Sequence, residues 1–177
     1  MDEIKRLDRT LIAKGHIIDY YVDTMQLPNG NTTKWDYIRH KGAAAVVAVR
    51  DDGKLLMVRQ YRNAIEREAL EIPAGALNTF DEPTKDAAMR ELSEETGYTA
   101  QTVEFLISIH TTVAFCNEKI DIYVARDLQA GEQHLDQDEF LNVVAVDVDE
   151  LLQMIYEGKL QDSKTVSAIL AYAQKYR

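Results

Sequence analysis

The chain has 177 residues, of which 46% are hydrophobic and 28% charged, and its formal net charge is −10. The length suits one domain with a small appendage. The acidity argues against nucleic acid as a partner, since a phosphate backbone is met by a basic face. No apolar run is long enough to cross a bilayer, so no membrane partner is expected. The N-terminal MDEIKRLDRT lacks the apolar h-region of a secretory signal. A single cysteine, Cys116, excludes an intramolecular disulfide and fits a reducing cytoplasm.

In chain order, His16 to His40 alternates apolar and polar residues around LPNGN, and Asn29-Gly30 marks a hairpin turn. This antiparallel ribbon needs something to pack on, because a lone ribbon is marginal in water. Gly42 to Arg50 (GAAAVVAVR) is a continuous apolar run and predicts a buried central strand. DDG turns the chain into a second strand, Lys54 to Arg62. Glu66 to Phe80 is irregular, broken by Pro73 and Gly75. A helix follows, punctuated by Pro83 at its first turn and Gly97 at its end. Strands are predicted at Val103 to His110, Lys119 to Arg126 and Asn142 to Val148, with an acidic loop, GEQHLDQDEF, between the last two. Two helices close the chain near Val148 to Tyr156 and Ser163 to Tyr176.

The helix between Pro83 and Gly97 carries Glu91, Glu94 and Glu95 within about one turn, where like charges repel. At ~100° per residue, Ala88, Met89, Leu92 and Thr96 share one side, and the glutamates lie along its edge. Carboxylates beside a core are partly desolvated, which disfavours their ionised form. Arg90, four residues before Glu94, offers relief as an ion pair. A hard divalent cation, which takes carboxylate and carbonyl oxygens, offers it as a metal site. A solvated charged face is the plain alternative. EIPAG, Glu71 to Gly75, tips the balance by bringing Pro and Gly just ahead of the helix, where a carbonyl can face the carboxylates.

The segment Gly75 to Tyr98, GALNTFDEPTKDAAMRELSEETGY, resembles the Nudix box of the Nudix hydrolases, with Gly75, Glu82, Arg90, Glu91, Leu92, Glu94, Glu95, Gly97 and Tyr98 in the family's order. Glu82 comes one position late, and Asp81 stands at the regular spacing as its possible substitute. EIPAG, VRQYR (Val58 to Arg62), Asn117-Glu118, LDQDEF (Leu135 to Phe140) and the hairpin-like N-terminus are similar to the ADP-ribose pyrophosphatase branch.

That resemblance implies an α/β/α sandwich around a mixed β-sheet. Residues 1–41 would form a small N-terminal antiparallel β subdomain for dimerisation and substrate contacts, and residues 42–177 the hydrolase domain. It implies a homodimer that uses Mg²⁺, or Mn²⁺, to hydrolyse ADP-ribose to AMP and ribose 5-phosphate. Another nucleoside diphosphate sugar as substrate, or a non-catalytic nucleotide sensor, are the alternatives. By the same resemblance Glu91, Glu95 and the Ala74 carbonyl are direct metal ligands, and Glu94 is a ligand or outer-shell group. Arg90 orients a glutamate. The general base lies in the acidic loop, which offers Asp136, Asp138 and Glu139; Glu139 is preferred and Asp138 second. Arg62 and Arg39 suit pyrophosphate oxygens. Trp35 offers a face to adenine, Asp36 an acceptor to its amino group, and Glu118 a contact near the terminal ribose or the metals. One departure concerns substrate: where the branch has Ser-Pro-Gly-Phe, this chain has Val113 and Ala114 in place of Pro and Gly. Cys116 and the four histidines are expected to be structural.

Overall fold

The structure, a computed structural model, describes residues 3–135 and 140–177. The chain divides into two compact units, Met1–Gly42 with His110–Lys119, and Ala43–Ile109 with Ile120–Arg177.

The first unit is built on an antiparallel sheet of β1 (Lys5–Lys14), β2 (Asp19–Gln26) and β3 (Thr32–Arg39) in that order. The expected hairpin joins β2 to β3. Gly30 has φ +85°, and Asn29 Oδ1 accepts from the Asn31 N–H, so both residues do what the turn needs. Strand β1 was not expected. Two bulges, between Arg6 and Asp8 and between Leu11 and Ala13, break its alternation, and interspersed charges mask its apolar residues. A bidentate pair from Arg9 to Asp23, 2.6 Å at both bonds, ties β1 to β2, with the Arg9 guanidinium lying over the Tyr37 ring.

The excursion His110–Lys119 is laced to the end of β3. Ile38 donates to the Phe115 carbonyl (2.6 Å), and Asn117 donates to the Ile38 carbonyl (3.3 Å). The Asn117 side chain then accepts from the His40 N–H (2.8 Å) and donates to the His40 carbonyl (3.0 Å), completing the ladder where backbone pairing stops.

In the second unit the sheet runs β10 (Leu141–Val146), β5 (Leu55–Arg62), β4 (Ala43–Val49), β9 (Lys119–Ala130), β8 (Tyr98–His110), with β6 (Arg67–Glu71) on β5 and β7 (Ala74–Ala76) on β4. Strand β4 is parallel to β9 and antiparallel to β5, so the sheet is mixed. The all-apolar β4 is explained by burial on both faces. Ala43, Ala45 and Val47 join a core with α2 (Val148–Tyr156) and α3 (Ser163–Tyr176). Ala44, Val46 and Ala48 pack in clusters with Ala87, Ala88 and Leu92 of α1 (Thr84–Thr96). One strand thus carries helices on both sides, which is the α/β/α sandwich expected. The irregular segment Glu66 to Phe80 contains the short strands β6 and β7, too brief to show periodicity.

Asn117→Ala removes two bonds from the nearly buried backbone of His40. It should destabilise the protein by about 1–3 kcal/mol in urea unfolding, with Asn117→Asp losing less because it retains the acceptor.

Candidate active site

The site is organised by α1. Pro83 precedes its first residue, and Gly97, at φ +74°, ends it with its N–H on the Ser93 carbonyl. The helical repeat sets two buried stripes: Ala88, Leu92 and Thr96, and beside them Ala87, Glu91 and Glu95. Glu91 is 8% exposed and Glu95 only 1%, so the two glutamates continue the core-facing stripe rather than edge it. Met89, expected on the core side, is 39% exposed. Glu94 stands farther out.

Each buried carboxylate meets the EIPAG segment. Glu95 Oε2 accepts from the Ala74 N–H at 2.9 Å. The Glu91 carboxylate fills the space beside Gly75 that any Cβ would occupy, so the glycine is needed for close approach rather than for its backbone angles. Arg90 Nη1 donates to Glu91 (2.6 Å) and to Glu94 (3.0 Å), and its other nitrogens reach Glu82 at 3.4 Å. Burial works against the Arg90 charge, but Glu91, Glu94 and Glu82 together raise its pKa strongly. Glu82, not Asp81, fills the box position. Its carboxylate takes the Asn78 N–H, the first cause of its lowered pKa, and faces Arg90, whereas Asp81 is exposed.

Hard oxygen donors packed against backbone with little solvent suit a divalent cation. Among the described residues no three His, Cys, Asp or Glu converge as a finished metal polyhedron. The reason is visible in the bonds: Arg90 draws Glu91 and Glu94 to itself, and Glu95 turns to Ala74. The donor set fits a divalent ion once Arg90 yields part of its hold.

Several other predicted residues have partners of their own. Arg62 makes a bidentate pair with Glu71, 2.6 Å at both bonds, so two of its three nitrogens are committed. Lys164 of α3 bonds the same carboxylate. Burial pushes Glu71 up, yet Arg62 and Lys164 more than reverse this and hold its pKa below the usual carboxylate range. In the first unit Trp35 is 45% exposed and lines a cleft of about 400 Å³ with Asp36, Val113, Ala114, Phe115 and Asn117. Asp36 accepts from the Tyr20 hydroxyl (2.6 Å), and Arg39 contacts the Tyr21 hydroxyl (3.4 Å). Glu118 accepts from Thr111 (2.7 Å) and stands 3.4 Å from His40 Nδ1, so it is engaged within the first unit. Cys116 Sγ accepts from the Glu118 N–H (3.4 Å), a packed role. Asp136, Asp138 and Glu139 lie outside the described residues.

Sequence reasoning missed three groups. Thr165 accepts the Ile72 N–H (3.0 Å), and Lys164 holds Glu71. Gln133 donates to the Glu95 carbonyl. With His134 on the Glu94 carbonyl and Gly131 on the Gly97 carbonyl, Gln133 fastens the start of the acidic loop to the orphan carbonyls ending α1. Gly97 as a helix stop was the only signal of that attachment.

Comparison with known proteins assigns the class. Residues 39–168 match the model of the NUDIX domain. The chain is 43% identical over 169 residues to a methanol dehydrogenase activator of Bacillus methanolicus, covering 94% of this chain and 91% of that one. It is 40% identical, with the same coverage, to an ADP-ribose pyrophosphatase of Bacillus subtilis. A third relative, an ADP-ribose pyrophosphatase of Mycobacterium tuberculosis, is 31% identical over 172 residues, covering 96% of this chain and 83% of the relative. The crystal structure of an ADP compounds hydrolase superposes with a TM-score of 0.84 at 23% identity, covering 97% of this chain and 93% of that one, and shares the fold. The chain belongs to the Nudix family and is a Nudix hydrolase, acting on nucleoside diphosphate compounds. Enzymes of this family are generally dependent on divalent metal. No helix among the described residues is long and apolar enough to cross a membrane.

Two outcomes follow for the site. Gly75→Ala should displace Glu91 and lower kcat by on the order of tenfold to a hundredfold, measured in steady state with metal present. Glu71, depressed in the folded state, contributes stability above the unfolded carboxylate pKa of about 4.3, and that stability fades as pH falls through the lower folded value. Glu71→Gln should therefore destabilise the protein at neutral pH and flatten the acid limb of its stability curve, read by thermal melts between about pH 7 and pH 3.

Proposed function

We propose that the chain is a cytoplasmic homodimer that hydrolyses the pyrophosphate bond of ADP-ribose, with Mg²⁺, or Mn²⁺ in its place, releasing AMP and ribose 5-phosphate. The observation that carries this reading is the burial of Glu91 and Glu95 against the Ala74-Gly75 backbone, where only a glycine leaves room. The choice of ADP-ribose is supported by the two ADP-ribose pyrophosphatases among the relatives.

In this reading Glu91, Glu95 and the Ala74 carbonyl hold the ion, with Glu94 as a ligand or outer-shell group. When bound, the ion neutralises pyrophosphate oxygens and lowers the pKa of the attacking water. Arg90 orients Glu91 and Glu94 by charge-assisted hydrogen bonds. Glu139, or Asp138 after it, takes the proton from the water as its oxygen attacks phosphorus and the bridging P–O bond breaks. Arg62, aimed by Glu71, offers its remaining donors to a pyrophosphate oxygen. Arg39 is the second cation for that charge. Trp35 stacks on the base, Asp36 accepts from its amino group, and Glu118 serves the terminal ribose or the metals. Residues 1–41 serve dimerisation and substrate contact and residues 42–177 the chemistry. Exposed Leu7, Leu11 and Ile12 on the edge strand β1 support association through that subdomain.

Incubation with ADP-ribose and Mg²⁺, read by chromatography and phosphorus NMR, should yield AMP and ribose 5-phosphate. Glu95→Gln should lower kcat by on the order of a hundredfold or more with the fold retained. Binding of ADP-ribose without release of AMP overturns the hydrolytic reading; faster turnover of another nucleoside diphosphate sugar overturns the choice of substrate.

A further inference from the structure

The Glu71–Gly75 segment has a difficulty of its own. β6 ends at Glu71 and β7 begins at Ala74, so Ile72 and Pro73 fall between ladders. Pro73 has no N–H to place, and its carbonyl is taken by the Val46 N–H at 2.9 Å. Ile72 is fully buried, and its N–H has to find an acceptor or suffer a desolvation penalty. The acceptor is Thr165 Oγ1 at 3.0 Å, on a residue itself fully buried in the first turn of α3. One residue earlier in α3, Lys164 bonds the Glu71 carboxylate. Both are held by Asp162, whose carboxylate caps α3 by accepting the Thr165 N–H (3.0 Å) and also meets Lys164 Nζ (3.0 Å). A series of hydrogen bonds thus runs from the cap of α3 to Glu71 and Ile72, and the same stretch of main chain continues through Pro73 to Ala74 and Gly75, which meet Glu95 and Glu91.

Resting on the metal-site reading above, we propose that Thr165 and Lys164 are positioning residues of that site. By fixing the backbone at Ile72 and the side chain at Glu71, they set how closely Ala74 approaches Glu95 and Gly75 approaches Glu91. Neither is bonded to a glutamate of α1; their effect passes through the main chain. Thr165→Val keeps the shape and removes the acceptor. The stranded Ile72 N–H is then relieved only by a shift of the segment, which moves the oxygens that hold the ion. Thr165→Ser restores the acceptor. Lys164→Gln frees one side of Glu71 while Arg62 keeps the other.

The test is Mn²⁺ binding to the full chain without substrate, followed by electron paramagnetic resonance of the free ion, alongside steady-state kinetics and thermal melts. Supporting the role of a metal-site neighbour, Thr165→Val should weaken Mn²⁺ by about tenfold or more. Thr165→Ser should stay within about twofold of wild type and Lys164→Gln should fall between, with kcat following the same order and KM for ADP-ribose little moved. A folded Thr165→Val with wild-type Mn²⁺ affinity overturns the proposal, even if its melting temperature drops, since that is a structural role alone. Should Thr165→Val not fold, Lys164→Gln decides, and unchanged Mn²⁺ affinity overturns the proposal. The two readings fail separately: wild-type protein that binds no Mn²⁺ sinks the metal site, whereas wild type that binds beside indifferent variants sinks only this inference.

Discussion

Two carboxylates, Glu91 and Glu95, sit in the buried stripe of α1, and that placement governs what surrounds them. Removing a carboxylate from water costs several kcal/mol unless charge or hydrogen bonds replace the solvent. Each neighbouring feature supplies part of the replacement. The Ala74 N–H serves Glu95, and Arg90 serves Glu91 from one residue away. Gly75 lets the main chain come close enough for its polar groups to matter, where a side chain would have held it off. Arg90 is shared among Glu82, Glu91 and Glu94, so no one of these carboxylates holds it alone.

The same logic is repeated one step outward at Glu71. It too is almost fully buried, but it is closed off by a bidentate arginine and a lysine. A carboxylate so fully paired has no call on a metal, and its value lies in fixing Arg62 and anchoring the segment that leads to Gly75. Glu71 belongs to the segment itself and Glu95 meets it from α1 at the Ala74 N–H, so one short stretch of main chain is referred to two buried carboxylates. Net acidity of the chain says nothing about either, because the local partners set the field.

Much of this was legible in the sequence. The unbroken apolar run of β4 announced a strand covered on both faces, Asn29-Gly30 announced its hairpin, and Gly97 marked the end of α1. The glutamate cluster and its arginine were found because their spacing is local, four residues or fewer, and local spacing survives in a linear string. What escaped reading depends on contacts between distant positions. Nothing about Thr165 or Lys164 says that they meet Ile72 and Glu71, since 93 residues separate each pair. β1 escaped because its bulges destroy the two-residue period that betrays a strand. Met89 is exposed because the buried face of the helix extends from the Ala88-Leu92-Thr96 row toward the Ala87-Glu91-Glu95 row, away from Met89.

The end of α1 shows why a helix, rather than a loop, carries the glutamates. A loop would leave each carboxylate to find its own rotamer and backbone setting. A helix fixes Glu91 and Glu95 one turn apart, about 6 Å along the axis, by backbone bonds that owe nothing to the site. Its termination leaves carbonyls without partners, and those of Glu94, Glu95 and Gly97 are taken by His134, Gln133 and Gly131. The glutamate side chains and the root of the acidic loop are therefore referenced to one rigid element. The bonds at Gly131, Gln133 and His134 fix the root of that loop to the same helix that sets the spacing of the carboxylates. Rigidity in α1 is what allows the rest of the site to be assembled from parts of the chain far apart in sequence.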